Sequence, residues 1–278
     1  MAHTDLTLLP LDHPGAQDPS YRARRDQIAA AARQFHLDGG AFPVISYTEE
    51  EHATWRAATS NLRHLHRQHA CKLHREASER LQVDEHRIPA LKDLSDRLMT
   101  LSGFRLEPIE GLVDSRSFLS RLADRTMLCT QYIRHHSRPD YTPEPDIIHE
   151  VIGHVPTFTD PDIVAFSEFI GRLARVADAQ QLIELERLYW FSLEFGLIQE
   201  DGGIKIFGAG LLSSFGEMPH AYSDEVTRKP FSVAEVIKTP FDFSAMQSTL
   251  FIIPSFAELR QMTEAHFAPP LTKAVKKL

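Results

Sequence analysis

The longest helical patterns in the chain are Pro161 to about Ala177 and Gln180 to Glu194. The second runs into Tyr189-Trp190-Phe191-Ser192-Leu193-Glu194-Phe195-Gly196, an almost wholly apolar stretch carrying one acid. An ionised carboxylate is costly to bury unless it is paired or bound to a metal. Any fold that buries this stretch must therefore bring Glu194 either a basic side chain or a metal site.

The remaining pattern is also mostly helical. Ala and Arg dominate Tyr21 to about Phe35, favouring a helix that ends near Gly39-Gly40. Thr48 is a candidate N-cap and Glu51 completes a capping box, opening a helix that carries Trp55, Leu62 and Leu65 and is read as continuing to His74. Shorter helices are expected over Pro89–Leu101 and Ser117–Leu122, and an extended apolar segment over Met127–His135. Asp201-Gly202-Gly203 between Leu197-Ile198 and Ile204-Lys205-Ile206-Phe207 signals a hairpin. With 42% hydrophobic residues and 17 Phe among 278, a large core is available. The expectation is one domain, 1–278, mainly α with small β pieces, whose residues 1–20 form an irregular N-terminal arm.

Charge and cysteine usage narrow the function classes. A net charge of -8 and a pI near 6.0 make a poor footprint for nucleic acid. Cys71 and Cys129 have no metal-type spacing, which fits a reducing compartment. Met1 to Pro10 lacks a basic segment followed by an apolar run, and no stretch approaches the roughly 20 apolar residues of a membrane span. A cytoplasmic protein with no membrane partner is expected.

The chemistry concentrates in Pro143-Glu144-Pro145-Asp146-Ile147-Ile148-His149-Glu150-Val151-Ile152-Gly153-His154-Val155-Pro156, whose apolar spacing is helical from Asp146 to Gly153 and is closed by Pro156. In a regular α-helix, imidazoles five residues apart stand about 140° apart. They can share a metal if it sits beside the helix end or if the last turn widens. The spacing excludes the zinc-protease H-E-x-x-H pattern, which needs its second histidine at Gly153. Two helix-end histidines bonded to carboxylates or water are the plainer alternative. With Glu194 as third ligand they form the two-histidine, one-carboxylate set that suits ferrous iron and oxygen, with zinc physically possible on the same ligands. His64, His66, His69 and His74 scatter around their helix and read as a solvated, charged face.

Several long motifs are collinear with one known family. Thr130-Gln131-Tyr132-Ile133-Arg134-His135, Tyr141-Thr142-Pro143-Glu144-Pro145-Asp146, His149-Glu150 and Gly153-His154-Val155-Pro156 resemble the pterin-dependent aromatic amino acid hydroxylases. So do Tyr189-Trp190-Phe191, Glu194-Phe195-Gly196 and Gly208-Ala209-Gly210-Leu211-Leu212-Ser213-Ser214-Phe215-Gly216-Glu217, with Asp12-His13-Pro14-Gly15 and Tyr21-Arg22-Ala23-Arg24-Arg25 upstream. The resemblance covers nearly the whole chain. It implies that family's basket-like, mostly helical catalytic-domain fold, with Fe(II) on His149, His154 and Glu194. O2 and a tetrahydropterin are the implied cosubstrates, the pterin supplying two of the electrons for splitting oxygen. By position, Arg134 would pair with the amino acid carboxylate, a task suited to a planar fork. Thr142 and Ser213 would lie near the amino acid and the first histidine, where a hydroxyl can orient an imidazole. Pro145, Trp190 and Phe195 would wall the substrate ring. Phe118 would stack on the pterin, with Val113 and Ser115 in the loop before it and Glu150 and Tyr189 lining the same cavity. Leu128 and Glu186 depart from the mammalian pattern, where a histidine and a small residue are usual.

Within the family, Trp190 favours phenylalanine or tyrosine as substrate, because tryptophan hydroxylases carry Phe there. Phe243 lies near an acidic position of tyrosine hydroxylases and tilts the reading to phenylalanine, hydroxylated at the para or the meta carbon. A tyrosine or tryptophan hydroxylase is the alternative, as is a catalytically silent amino-acid sensor. The resemblance begins by residue 12 and the tail after Phe256 is too short for the three or four heptads of a coiled coil. No regulatory or tetramerisation domain is therefore expected, and the chain is read as a monomer without cooperative activation.

Overall fold

The structure is a computed structural model that describes residues 9, 13–39, 41–140 and 142–267. Most of the proposed N-terminal arm (1–8 and 10–12) and the tail 268–278, to which the coiled-coil expectation refers, lie outside the described residues. The described part of the arm is helical: α1 spans Pro14–Gln17 and α2 spans Pro19–Asp38. Asp18 corrects the irregular reading. Its carboxylate accepts from the backbone N–H groups of Ser20 and Tyr21, and Pro19 occupies the first turn, so helix begins before residue 20. Gly39 ends α2 in the left-handed conformation, φ 57°.

Helices then dominate. α3 (Glu49–His69) starts at the expected box, with Thr48 Oγ1 accepting from Glu51 N and Glu51 Oε2 accepting from Thr48 N. It does not run to His74. At Ala70 the backbone turns extended and bridges Ile206, with Cys71 N donating to the Ile206 carbonyl at 2.8 Å, and α4 (Lys72–Leu81) starts afresh. Next come α5 (Leu91–Ser102), β1 (Arg105–Ile109), α6 (Ser115–Leu122) and β2 (Thr126–Thr130), with β1 and β2 pairing in parallel. The extended segment expected to reach His135 stops pairing at Thr130. Beyond it, the carbonyls of Gln131, Tyr132 and Ile133 accept from the Tyr47 hydroxyl, the Ile147 N–H and the Tyr21 hydroxyl.

A π-helical turn, His149–His154, and a short 3-10 turn, Thr157–Thr159, lead into α7 (Pro161–Val176) and α8 (Ala179–Tyr189). The end of the expected Gln180–Glu194 helix is a second π-helical turn, Trp190–Glu194. Then follow β3 (Leu197–Glu200), β4 (Gly203–Ile206), α9 (Ala209–Leu212), α10 (Glu217–His220), β5 (Thr227–Pro230), α11 (Val233–Val236), β6 (Thr249–Ile253) and α12 (Phe256–Phe267). The hairpin turns at Asp201 and Gly202, both at positive φ, inside a four-stranded sheet ordered β4-β3-β6-β5. One continuous core joins helices and sheets, with Trp55, Phe104, Phe158, Phe166, Phe191, Phe207 and Phe251 fully buried. Val151 of the first π turn and Phe191 and Leu193 of the second belong to this core, so both turns are anchored by their apolar side chains. No helix is long and apolar enough to cross a membrane among the described residues.

Candidate metal centre and active site

Both π turns widen the helix where a ligand is needed. In the first, Val155 N donates to the Glu150 carbonyl five residues back at 3.1 Å; in the second, Phe195 N donates to Trp190 O at 2.8 Å. The wider turn carries His149 and His154 to one side, against the 140° separation of a regular helix. Their rings meet edge to face with centroids 4.7 Å apart. The first turn can lie flat on α9 only because residue 153 is glycine: a Cβ there would stand 2.8 Å from the Ala209 carbonyl. Gly208 plays the same part on the other side, since a Cβ would strike Gly196 N and Glu194 O.

Three donors converge as a result. His154 Nε2 lies 3.1 Å from His149 Nε2 and 3.0 Å from Glu194 Oε1, and His149 Nε2 is 3.5 Å from Glu194 Oε2. Among the described residues these three form the one cluster with metal-ligand geometry, their donor atoms all within 4.8 Å of one another. The donor set fits a divalent transition metal, and the exposed edges of His149 and Glu194, each 14%, leave one side open. Ser213 fixes the first ring. Its hydroxyl donates to Ala209 O (2.8 Å) and lies 3.0 Å from His149 Nδ1, so it accepts a hydrogen bond from Nδ1–H and leaves His149 Nε2 as a bare lone pair.

Electrostatics agree with a cation site. Burial pushes the Glu194 carboxyl up, but the adjoining His154 and His149 outweigh it and hold it below the usual carboxylate range. Burial pushes His149 down to about 4 despite Glu194, whereas at His154 the carboxylates of Glu194 and Glu150 overcome burial and raise it. Glu150, buried on the ligand turn itself, accepts from Thr130 N (3.2 Å) and Thr130 Oγ1 (3.1 Å), and burial pushes it up to about 7.

Arg134 is deep in the protein, 2% exposed, and its Nε and Nη2 form a two-point pair with Asp146, each at 2.9 Å. Asp146 also accepts from Arg134 N and from His149 N, tying the guanidinium to the start of the ligand turn. Of the five N–H groups of Arg134 three are committed among the described residues, the third to Pro139 O, which leaves one on each terminal nitrogen. The two hydroxyls named from sequence part company here. Ser213 holds His149, while Thr142 Oγ1 donates to the Glu144 carbonyl two residues on in a local turn. Pro145 is half-buried on the segment leading to His149, its carbonyl accepting from Thr130 Oγ1.

Trp190 and Phe195 lie together, ring centroids 4.5 Å apart. Phe241 stacks on Trp190 at 4.2 Å, and the Trp190 indole N–H donates to Gln247 Oε1 at 3.0 Å. Neither Phe241 nor Gln247 was named from sequence, because no spacing links them to residue 190. Phe118 meets Tyr189 edge to face at 5.4 Å, and Tyr189 in turn lies 6.2 Å from the His154 ring, so that aromatic pair borders the triad. Val113, 37% exposed, lies in the loop before α6, and Ser115 opens that helix three residues before Phe118.

The reading of His64, His66, His69 and His74 as one solvated face is corrected. His64 is exposed, but His69 packs on the Tyr222 ring, and the break at Ala70 folds His74 back against His66, ring centroids 4.7 Å apart. His74 is fully enclosed and burial pushes its imidazole down to about 3.

The family model described as biopterin-dependent aromatic amino acid hydroxylase matches residues 3–276. Phenylalanine-4-hydroxylase of Rattus norvegicus is 42% identical over 257 residues, 91% of this chain and 56% of the relative. Tyrosine 3-monooxygenase of Bos taurus is 41% identical over 262 residues, 93% of this chain and 53% of the relative. The chain thus spans about half the length of these curated relatives. Phenylalanine hydroxylase from Chromobacterium violaceum with bound iron(III) and 7,8-dihydrobiopterin superposes with a TM-score of 0.78 at 30% identity, covering 92% of this chain and 94% of that one. The cobalt-bound form of that enzyme gives 0.77 at 33% identity, covering 83% of each. The chain belongs to the biopterin-dependent aromatic amino acid hydroxylases.

Proposed function

We propose that this chain is a non-haem iron, tetrahydropterin-dependent monooxygenase that hydroxylates the ring of phenylalanine. The observation that carries the proposal is the convergence of His149 Nε2, His154 Nε2 and Glu194 on one point with an open side. Ferrous iron on those donors, with O2 and a reduced pterin, supplies the oxidising chemistry.

The chain's own residues bind, orient and shield. The two free N–H groups of Arg134 grip the amino acid carboxylate, and Asp146 holds the guanidinium plane in place for that grip. Pro145, Trp190 and Phe195 enclose the ring, with Phe241 and Gln247 bracing Trp190 from the 240s loop. Ser213 accepts a hydrogen bond from His149 Nδ1–H and so sets which ring nitrogen faces the metal. Phe118, packed edge to face on Tyr189, would hold the pterin ring, with Tyr189 and the Thr130-bound Glu150 lining its cavity and Val113 and Ser115 at its edge.

Phenylalanine is favoured over tyrosine by Phe243, an apolar residue near the position where tyrosine hydroxylases place an acid; relatives of both specificities are about equally similar. The test is turnover of phenylalanine, tyrosine and tryptophan by purified protein with Fe(II), tetrahydropterin and air. Hydroxylated phenylalanine should form with the highest kcat/KM of the three. A preference for tyrosine would overturn the substrate reading, and pterin-independent or absent turnover would overturn the activity.

A further inference from the structure

We propose that His66 and His74 are positioning residues for the metal centre: a neutral imidazole pair that ties the ligand-bearing turn and the Ser213 segment together from behind. The proposal rests on the reading of His149, His154 and Glu194 as metal ligands.

Two backbone carbonyls behind the site need donors. Four residues after Ile152 stands Pro156, which has no N–H to return to the Ile152 carbonyl. Leu212 is the last residue of α9, where helix-end carbonyls are left over. His74 Nε2 lies 2.8 Å from Ile152 O and His66 Nε2 lies 2.7 Å from Leu212 O. Carbonyls only accept, so both imidazoles carry their proton on Nε2. Burial agrees, pushing His66 down to about 4 and His74 to about 3, which keeps both rings neutral and singly donating above those values.

What these carbonyls belong to gives the pair its meaning. Ile152 lies between the two histidine ligands on the π turn, and Leu212 immediately precedes Ser213, whose hydroxyl holds His149 Nδ1. The rings of His66 and His74 touch each other edge to face at 67°, so the two tethers are one unit. Loss of either donor frees one side of a joint that Gly153 and Ala209 otherwise hold in close contact. The consequence falls on where His149 and His154 point. Groups that orient ligand histidines typically alter metal affinity by about 10–100-fold, and a tether acting through one more bond belongs at the lower end.

Cobalt(II) alone is the probe, read by equilibrium affinity and by its visible ligand-field bands. The variants are His66→Leu and His74→Leu, which remove the donor, and His66→Gln and His74→Gln, whose amide N–H restores it. The leucine variants should bind cobalt about tenfold more weakly, with shifted bands. The glutamine variants should recover affinity to within about threefold, together with the wild-type bands. Wild-type affinity and bands in folded leucine variants would overturn the proposal. If leucine prevents folding, the glutamine variants decide: tenfold weakening with the donor restored would equally overturn it. Absence of stoichiometric cobalt binding by the wild-type protein would remove the metal reading itself, an outcome distinct from the others.

Discussion

The two histidine pairs have the same ring-centroid separation, 4.7 Å, and both pack edge to face. Their nitrogens are arranged in opposite senses. At His149 and His154 the Nε2 atoms turn toward each other and toward a carboxylate, with Ser213 accepting a hydrogen bond on the far side of the first ring. At His66 and His74 the Nε2 atoms turn away, each onto a carbonyl. Proximity of imidazoles is therefore no guide to metal binding. The partner of each nitrogen decides, because a nitrogen that donates to a carbonyl has no lone pair to offer a metal.

Removing a ligand should separate the pairs most sharply. His149→Ala, His154→Ala and Glu194→Ala are expected to abolish iron retention in a folded protein, checked by metal analysis after desalting. His64→Ala, on the exposed face of α3, should retain iron. Full iron in all three ligand variants would break the distinction.

Arg134→Ala ranks next. It strands Asp146 as a buried, unpaired carboxylate, a change that typically costs about 3–5 kcal/mol, and denaturant unfolding should register it. The same change should raise the apparent KM for the amino acid tenfold or more while moving the KM for pterin far less, as loss of a charge-assisted hydrogen bond of about 1.5–3 kcal/mol implies. Equal effects on both substrates would place the carboxylate grip elsewhere.

Acid should act through the tethering pair. In the unfolded chain an imidazole takes its proton near pH 6.5, whereas burial holds His66 to about 4 and His74 to about 3 in the fold. Between those values the unfolded chain binds more protons, so stability falls as pH drops below about 6.5, by up to about 1.4 kcal/mol per pH unit per histidine. Glu150, pushed up to about 7, works in the opposite direction, and His149 in the same. The comparison is thus wild type against the double variant His66→Gln, His74→Gln, by urea unfolding of metal-free protein from pH 7 to 5. A shallower pH dependence in the variant is expected; identical slopes would contradict the buried neutral assignment.

The smallest effect contrasts two hydroxyls. Ser213→Ala should weaken metal binding by about tenfold, the lower end for a group that orients a ligand histidine. Thr142→Val, which removes only a local turn bond, should leave metal affinity within about twofold. Cobalt titration reads both.

Features set by neighbours in the chain were legible before the structure. Thr48 and Glu51 make their capping box, Asp201-Gly202 turns its hairpin, and an acid alone in an apolar run proved to face two histidines. The possibility that the histidine turn widens was also readable, since five-residue spacing lets a regular helix share a ligand site only beside its end. Features set by distant contacts were not. The helix break at Ala70 depends on Ile206, and the pairing of His66 with His74 follows from that break. Phe241 and Gln247 reach Trp190 from more than 50 residues away, and the Asp146 partner of Arg134 comes from a different segment. Each is a tertiary decision with no local periodicity to announce it.

Anomalous scattering at the iron edge from crystals grown with Fe(II) tests the assignment of the two pairs most directly. One strong peak is expected within bonding distance of His149 Nε2, His154 Nε2 and a Glu194 carboxylate oxygen, with none beside His66 or His74. A peak at His66 and His74, or no peak among the three proposed ligands at saturating iron, would contradict it.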